Sequence, residues 1–341
     1  MPKINYFFND EKKMNGVDLK TFIDLFAGIG GFRIALESYG LKCIFSSELD
    51  KYAQDTYREN FHEHPSGDIT KINERDIPPH DILCAGFPCQ AFSVSGKQRG
   101  FEDTRGTLFF DIARIAKYHK PKILFLENVK NFERHNKGGT LKTVLRVLDE
   151  LGYHVFYQIL NASDYGVATS RERIYFVCFL KELGFPNFDF PKPSFNKVYL
   201  RDFLEKNVDT TDFEINRKDI KITKPLIQKP SLRPIQIGVI NKGGQGERIY
   251  STEGHAITFS AYGGGAAAKT GAYLIDGKIR KLTPREVARI MGFPEKFQIP
   301  KNPPQAYTQL GNSVVVPVLK KITEQILQTC KIEGEKCAQQ I

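Results

Sequence analysis

Thr21-Phe-Ile-Asp-Leu-Phe26-Ala-Gly28-Ile-Gly30-Gly31 is an apolar run that dissolves into glycines and is followed by Phe32-Arg-Ile-Ala-Leu-Glu-Ser-Tyr39 and Gly40. The order reads as a strand to Phe26, a tight loop, and a helix from Phe32 to Tyr39 closed by glycine. This opens a nucleotide-type βαβ unit. The glycines let a backbone approach a ligand, and the helix start that follows presents free N–H groups to an anion, here a carboxylate. Gly28-x-Gly30-Gly31 lacks the third glycine of the dinucleotide fingerprint, which disfavours a NAD enzyme. The next strand, Lys42 to Phe45, ends near Glu48. A carboxylate about 20 residues past such a loop can take both ribose hydroxyls, although a surface Glu is the plainer alternative.

Further along, Asp81-Ile-Leu-Cys-Ala85 reads as a buried strand broken by Gly86 and Pro88. Cys89 therefore falls on a loop at the carboxyl end of the strand, where open α/β sheets place their ligands. On its own a free cysteine is more often simply a small apolar residue. Lys97 and Arg99 follow in a stretch of glycine and serine, and cations favour a thiolate. Leu108 to Tyr118 carries apolar residues at helical spacing, and Pro121 to Val129 is a strand that delivers Glu127 and Asn128 to its end. A carboxylate closing so apolar a run has its pKa raised if it is buried, whereas in a solvated turn it is ordinary. Leu141 to Leu151 reads as a helix and Val155 to Leu160 as a strand. In the strand that starts at Arg171, Arg171 and Arg173 alternate onto one side.

The chain of 341 residues is 41% hydrophobic, enough for one large and one smaller domain. Its net charge of +10 favours an anionic partner, nucleic acid first. The sequence has no long apolar span, so no membrane is expected. Six cysteines lie scattered in mostly apolar runs, which suits buried free thiols in a reducing compartment. Cys84 and Cys89 have no second ligand pair, and no metal is expected. Met1 to Lys20 lacks an apolar core, so no secretory signal is expected either.

Gly86-Phe-Pro-Cys89-Gln-Ala-Phe-Ser93, Glu127-Asn-Val129 and the paired arginines resemble, in this order and over nearly the whole chain, the motifs of the C5-cytosine DNA methyltransferases. The resemblance implies a Rossmann-like, doubly wound α/β sheet that binds S-adenosylmethionine, plus a smaller β-rich target-recognition domain. It implies catalytic roles for Cys89 as nucleophile, Glu127 as proton donor, Arg173 on the base, and Arg171 orienting Glu127 or the backbone. Phe26, Gly28, Gly30, Gly31, Glu48 and Leu49 would form one side of the cofactor site. Asp68, Ile69, Pro88, Leu108, Asn312 and Ser313 would form the other, with Asp68 meeting the adenine amino group. Two departures stand out: Leu49 replaces a frequent aromatic that stacks on adenine, and Thr169 replaces the Gln of a Gln-x-Arg-x-Arg pattern.

From about Pro191 prolines and lysines increase, and a domain boundary is placed near Arg201. Residues 1–201 and 312–341 would form the large domain, 202–283 the recognition domain, and 284–311 a hinge opening with the helix cap Thr283-Pro284-x-Glu286. The last helix is expected over Val314 to Leu327, with fraying beyond Glu333. Asn241–Ser251 and Ser260–Ala266 are glycine-rich loops, either plain linkers or recognition loops. They resemble those of a GCGC-specific member of the family, with Gln245, Arg248 and Tyr262 as DNA contacts and Ser95 approaching from the other side. The expected partner is double-stranded DNA, bound by a monomer in the bacterial cytoplasm at the nucleoid, as part of a restriction-modification system. An RNA-methylating relative, a silent DNA-binding module and a dinucleotide oxidoreductase are the alternatives. Methyl transfer to RNA, DNA binding without turnover, and NAD binding would respectively reveal them.

Overall fold

In the computed structural model, β1 (Thr21–Leu25), β2 (Lys42–Ser47), β3 (Ile82–Gly86), β4 (Ile123–Val129), β5 (Tyr153–Asn161) and β6 (Glu172–Leu180) form one sheet in the order β2-β1-β3-β4-β6-β5. The structure describes residues 17–88 and 108–338 apart from 186, 195, 226, 227 and 245, and side chains through 331. β1 pairs in parallel with both β2 and β3. The chain steps outward to β2 and then crosses back to β3, so a crevice opens beyond the carboxyl ends of β1 and β3. β1 ends at Leu25, one residue short of the expected strand end at Phe26, which takes a φ of 56°.

The strands read as near-continuous apolar runs because both faces are covered. Phe22, Cys84, Phe125 and Val177 face one layer, whereas Ile23, Leu83, Leu124 and Phe176 face the other. The first layer packs under α1 (Gly31–Glu37) and α2 (Lys51–Phe61), the second under α3 (Leu108–His119) and α4 (Gly139–Glu150). Cys43, Cys84, Cys178 and Cys330 are buried free thiols, as the apolar runs around them suggested.

β6 runs antiparallel to both β4 and β5. The connection from Asn161 to Glu172 is too short for a crossover helix, so the chain must turn back beside itself.

A second sheet has the order β11-β10-β9-β8-β7, built from β7 (Ile220–Ile222), β8 (Ile235–Ile240), β9 (Arg248–Ser251), β10 (Ala272–Ile275) and β11 (Lys278–Arg280). Its core is small and rests on Ile237, Ile240, Ile249 and Ala272. α5 (Pro284–Ile290) starts with the expected capping box: Thr283 accepts from the Glu286 N–H, and Glu286 accepts from that of Thr283. Glu286 also holds Arg280 through two buried bonds of 2.7 and 2.8 Å, which fasten α5 to β11. α6 (Pro303–Asn312) follows, and α7 (Val316–Ala338) packs on α1. α7 runs past Glu333, where fraying was expected. Among the described residues no helix is long and apolar enough to cross a membrane.

Phe125 lies at the centre of the first layer, fully buried and edge-on to Phe32 at 5.1 Å. Phe125→Ala is expected to lower unfolding free energy by about 3–5 kcal/mol through lost burial and a residual cavity. Urea denaturation checks this, and a loss below about 1 kcal/mol would show that the site collapses or lies outside the core.

Candidate active site

The glycine loop turns on positive φ angles at Phe26, Gly28 and Gly30, with Gly30 at 86°. The Gly28 N–H donates to Glu48 Oε2 at 2.7 Å, and the Asp50 N–H donates to Glu48 Oε1 at 2.8 Å. Glu48 is thus clamped between the two strand ends, and its burial raises its pKa against the pull of those N–H groups. Among the described residues nothing stands within 4 Å of where a side chain on Gly28 would lie, so its backbone face is open. Leu49 beside it is 70% exposed. Asp68 accepts from both the Thr70 N–H and hydroxyl, which lowers its pKa and fixes the turn before the buried Ile69.

The segment from Asn312 to Val314 closes this loop from behind. A side chain on Gly31 would collide with Val314 Cγ2 at 2.4 Å and would reach 3.4 Å from Ser313 Oγ, so helix α1 starts in direct contact with that segment. Ser313 is half-buried there, and Asn312 is exposed at the end of α6. Pro88 is exposed just past β3, and Leu108 is half-buried at the start of α3. The structure therefore brings the glycine loop, Glu48 and Ser313 to one crevice edge.

Glu127 is buried at the end of β4. A side chain on Gly86 would reach 3.6 Å from its Oε2, which places the carboxyl beside the exit of β3 toward Cys89. Arg173 lies across the strand boundary with its Nε 3.1 Å from Glu127 Oε1, and it donates from Nη1 to the Glu172 carbonyl. Burial raises the Glu127 pKa, and the opposing charges of Arg173 and Arg171 do not cancel that effect. The raised pKa expected from its place on an apolar run is therefore present. Of the two orientations given for Arg171, the geometry has the backbone one: it donates to the carbonyls of Phe259, Gly311 and Ser313.

Asn128, named with Glu127 at the end of this strand but given no role of its own, is 1% exposed and donates to the Phe87 carbonyl at 2.9 Å. It holds the turn that leads to Cys89. The signal available was a polar amide at the end of a buried strand, since such a group must find a partner. Thr169, in the place of the Gln, is buried and donates to the Ile257 carbonyl at 3.2 Å.

The two glycine-rich loops meet each other. A side chain on Gly246 would stand 2.3 Å from the Gly264 carbonyl oxygen, and the Ala267 N–H donates to the Gly246 carbonyl at 2.8 Å. Arg248 opens β9 exposed, with its Nε 3.4 Å from the Gly243 carbonyl, and Tyr262 is 79% exposed. Cys89, Ser95 and Gln245 lie outside the described residues. Among the described residues no group of three or more His, Cys, Asp or Glu gathers in a way that could hold a metal ion.

A doubly wound sheet that sets a buried acid and a half-buried arginine beside an open glycine crevice, with a β-rich lobe attached, is the architecture of a Rossmann-like methyltransferase. The chain belongs to the C-5 cytosine-specific DNA methylases, whose family model matches residues 20–328. It is 54% identical over 316 residues to the type II methyltransferase M.HhaI of Haemophilus parahaemolyticus, covering 93% of this chain and 96% of that one. It is 44% identical over 337 residues to M.HpaII of Haemophilus parainfluenzae, covering 94% and 93%. The S. pombe Dnmt2 methyltransferase shares the fold with a TM-score of 0.69 at 21% identity, covering 93% of this chain and 99% of that one. The protein is a DNA (cytosine-5-)-methyltransferase.

Two measurements test the geometry. A buried Glu with a raised pKa binds its proton more readily in the folded state than in the unfolded one, so it makes stability fall as pH rises above the unfolded value of about 4.3. Glu127→Gln, which carries no such proton, is expected to gain urea stability relative to the wild type as pH rises through that window; a difference independent of pH would mean the carboxyl titrates normally. Gly246→Ala forces its methyl group onto the Gly264 carbonyl. It is expected to weaken discrimination between duplex sequences by tenfold or more, on the order of 1–3 kcal/mol. Equal loss on all sequences in a filter-binding series would show that the loop contact serves overall affinity only.

Proposed function

We propose that this enzyme methylates the target cytosine of GCGC-type duplex DNA, with S-adenosylmethionine as donor and Cys89 as nucleophile, as the modification half of a bacterial restriction-modification system. The observation that carries the reading is the contact of buried Glu127 with half-buried Arg173 beside the strand exit to Cys89. The 54% identity to M.HhaI, a GCGC-specific enzyme, supports the choice of target.

The crevice suits the donor. Gly28 has open space at its backbone, Glu48 retains lone pairs for ribose hydroxyls, and exposed Leu49 can cover the adenine. Phe26, Gly30, Gly31, Asp68, Ile69, Pro88, Leu108, Asn312 and Ser313 would complete the site. When bound, S-adenosylmethionine supplies an electrophilic methyl group. The chain's own residues make C5 able to accept it: the Cys89 thiolate adds to C6, and C5 becomes enamine-like. Negative charge pushed onto N3 and O2 is met by a proton from Glu127 and by the Arg173 guanidinium. Loss of the C5 proton to a base then lets Cys89 leave as the thiolate, and the N3 proton returns to Glu127.

C6 cannot be reached inside a stacked duplex, so the base must be extruded at a cost of about a few kcal/mol. Gln245 would contact the orphan guanine, with Ser95 entering from the other side. Arg248 and Tyr262 would read neighbouring bases in the groove. Residues 1–201 and 312–341 would then work as the catalytic domain, 202–283 as the recognition domain and 284–311 as the hinge, in a monomer acting on DNA in the cytoplasm.

Incubation with tritiated donor and duplexes that differ in one base pair of GCGC tests the assignment. Label is expected on GCGC alone, Cys89→Ser is expected to lose methyl transfer while retaining duplex binding, and 5-fluorocytosine is expected to trap the wild type covalently because fluorine cannot leave as a proton. Label on RNA but not on duplex, or an equal adduct with the Ser variant, would overturn it.

A further inference from the structure

Arg171 is 2% exposed, and its fork is shared among segments far apart in the chain. Nη1 donates to the Phe259 carbonyl at 3.0 Å, and Nη2 donates to Gly311 and Ser313 at 2.9 and 2.7 Å. Phe259 lies at the base of the loop that carries Tyr262. Gly311 and Ser313 bracket the end of α6, where the chain turns to pack Val314 against Gly31. Arg171 itself stands two residues before Arg173, the partner of Glu127.

The loop is fastened to this centre at both ends. The Ala256 N–H donates to the Ala168 carbonyl at 2.7 Å, and the Thr258 hydroxyl donates to the Ser170 carbonyl. Lys269 Nζ, at the far end, donates to the Pro304 carbonyl at 3.0 Å and to Thr308 Oγ1 at 2.9 Å on α6. Between them a side chain on Gly311 would stand 2.6 Å from both Ala261 N and Ser260 C, so helix and loop touch backbone to backbone. A displacement of the loop therefore cannot leave the end of α6 unaffected. It would also strip a buried guanidinium N–H of its acceptor, which the interior resists.

We propose that Arg171 is a positioning residue that couples the two binding events: seating the second glycine loop on its DNA sequence sets the Ser313 segment of the methyl-donor site, and filling the donor site sets the loop. This rests on the reading that the loop contacts DNA and that Asn312 and Ser313 border the donor. Planarity is what the role requires. A lysine carries the same charge but not the fixed fork that reaches three carbonyls at once.

The coupling is read by calorimetry with S-adenosylhomocysteine, which cannot react, in the absence of DNA, with a saturating GCGC duplex, and with a duplex changed at one base pair. Because linkage is reciprocal, the full-length wild type is expected to bind the ligand about fivefold or more tightly with the GCGC duplex, and less so with the changed one. Arg171→Lys is expected to bind both ligands separately while that ratio falls below about twofold. Lys269→Met, a surface change that frees the far end of the loop, is expected to lower the ratio as well and carries the test should the Arg171 variant fail to fold. An unchanged ratio in the variants, even with lowered thermal stability or turnover, would overturn the proposal, as would a wild-type ratio of one. A wild type that binds no GCGC duplex would instead defeat the functional reading, and the coupling with it.

Discussion

The contact between Glu127 and Arg173 depends on a single reversal of strand direction. β4 ends at the crevice, and because β6 runs antiparallel to it, β6 begins there, with Val129 opposite Arg173 and Glu127 opposite Tyr175. Had β6 continued the parallel order, its first residues would lie at the opposite edge of the sheet. Side-chain alternation does the rest, since Phe125 and Glu127 share a face with Arg173 and Tyr175. The ion pair is thus a consequence of topology, and the burial that raises the Glu127 pKa comes from the same packed layer that includes Phe125 and Tyr175.

Much of this was legible in the sequence because it is local. Strand β1, the glycine turn and helix α1 follow from apolar spacing and glycine, and Thr283-Pro284-x-Glu286 declared the start of α5 through side chains three residues apart. Glu127 could be placed at the end of an apolar strand, where a raised pKa was expected provided the carboxyl is buried. The partners of Arg171 could not be read in the same way. They are main-chain carbonyls 88 and 140 residues away, and a carbonyl leaves no mark on residue identity. The partner of Asn128 was hidden for a similar reason, since its acceptor is the Phe87 carbonyl. The direction of β6 followed from the brevity of the connection before it, a property of loop length that the reading of individual runs did not weigh.

Glycine has two different duties in this chain, and only one of them is conformational. Gly28 and Gly30 take left-handed backbone angles in a turn, which a sequence pattern advertises. Gly311 does not: it belongs to a helix, and its lack of a side chain matters only because the Ser260–Ala261 backbone lies where a methyl group would stand. Gly246 combines both, with a φ of 79° and the Gly264 carbonyl against it. Close approach between segments distant in sequence is a tertiary fact, and composition alone makes such loops resemble linkers.

Those approaches form a continuous stack of supports. The first glycine loop, which precedes Arg248, rests on Gly264 and Ala267 of the second. The second rests on Gly311 of α6 and, through Phe259, on Arg171. Each step is a backbone contact or a hydrogen bond to a backbone carbonyl, so the identities of the side chains that face outward are free of the task of holding the loops in place. A lobe with so small a core of its own can therefore carry exposed side chains such as Arg248 and Tyr262, because its loops are also held by α6 and Arg171.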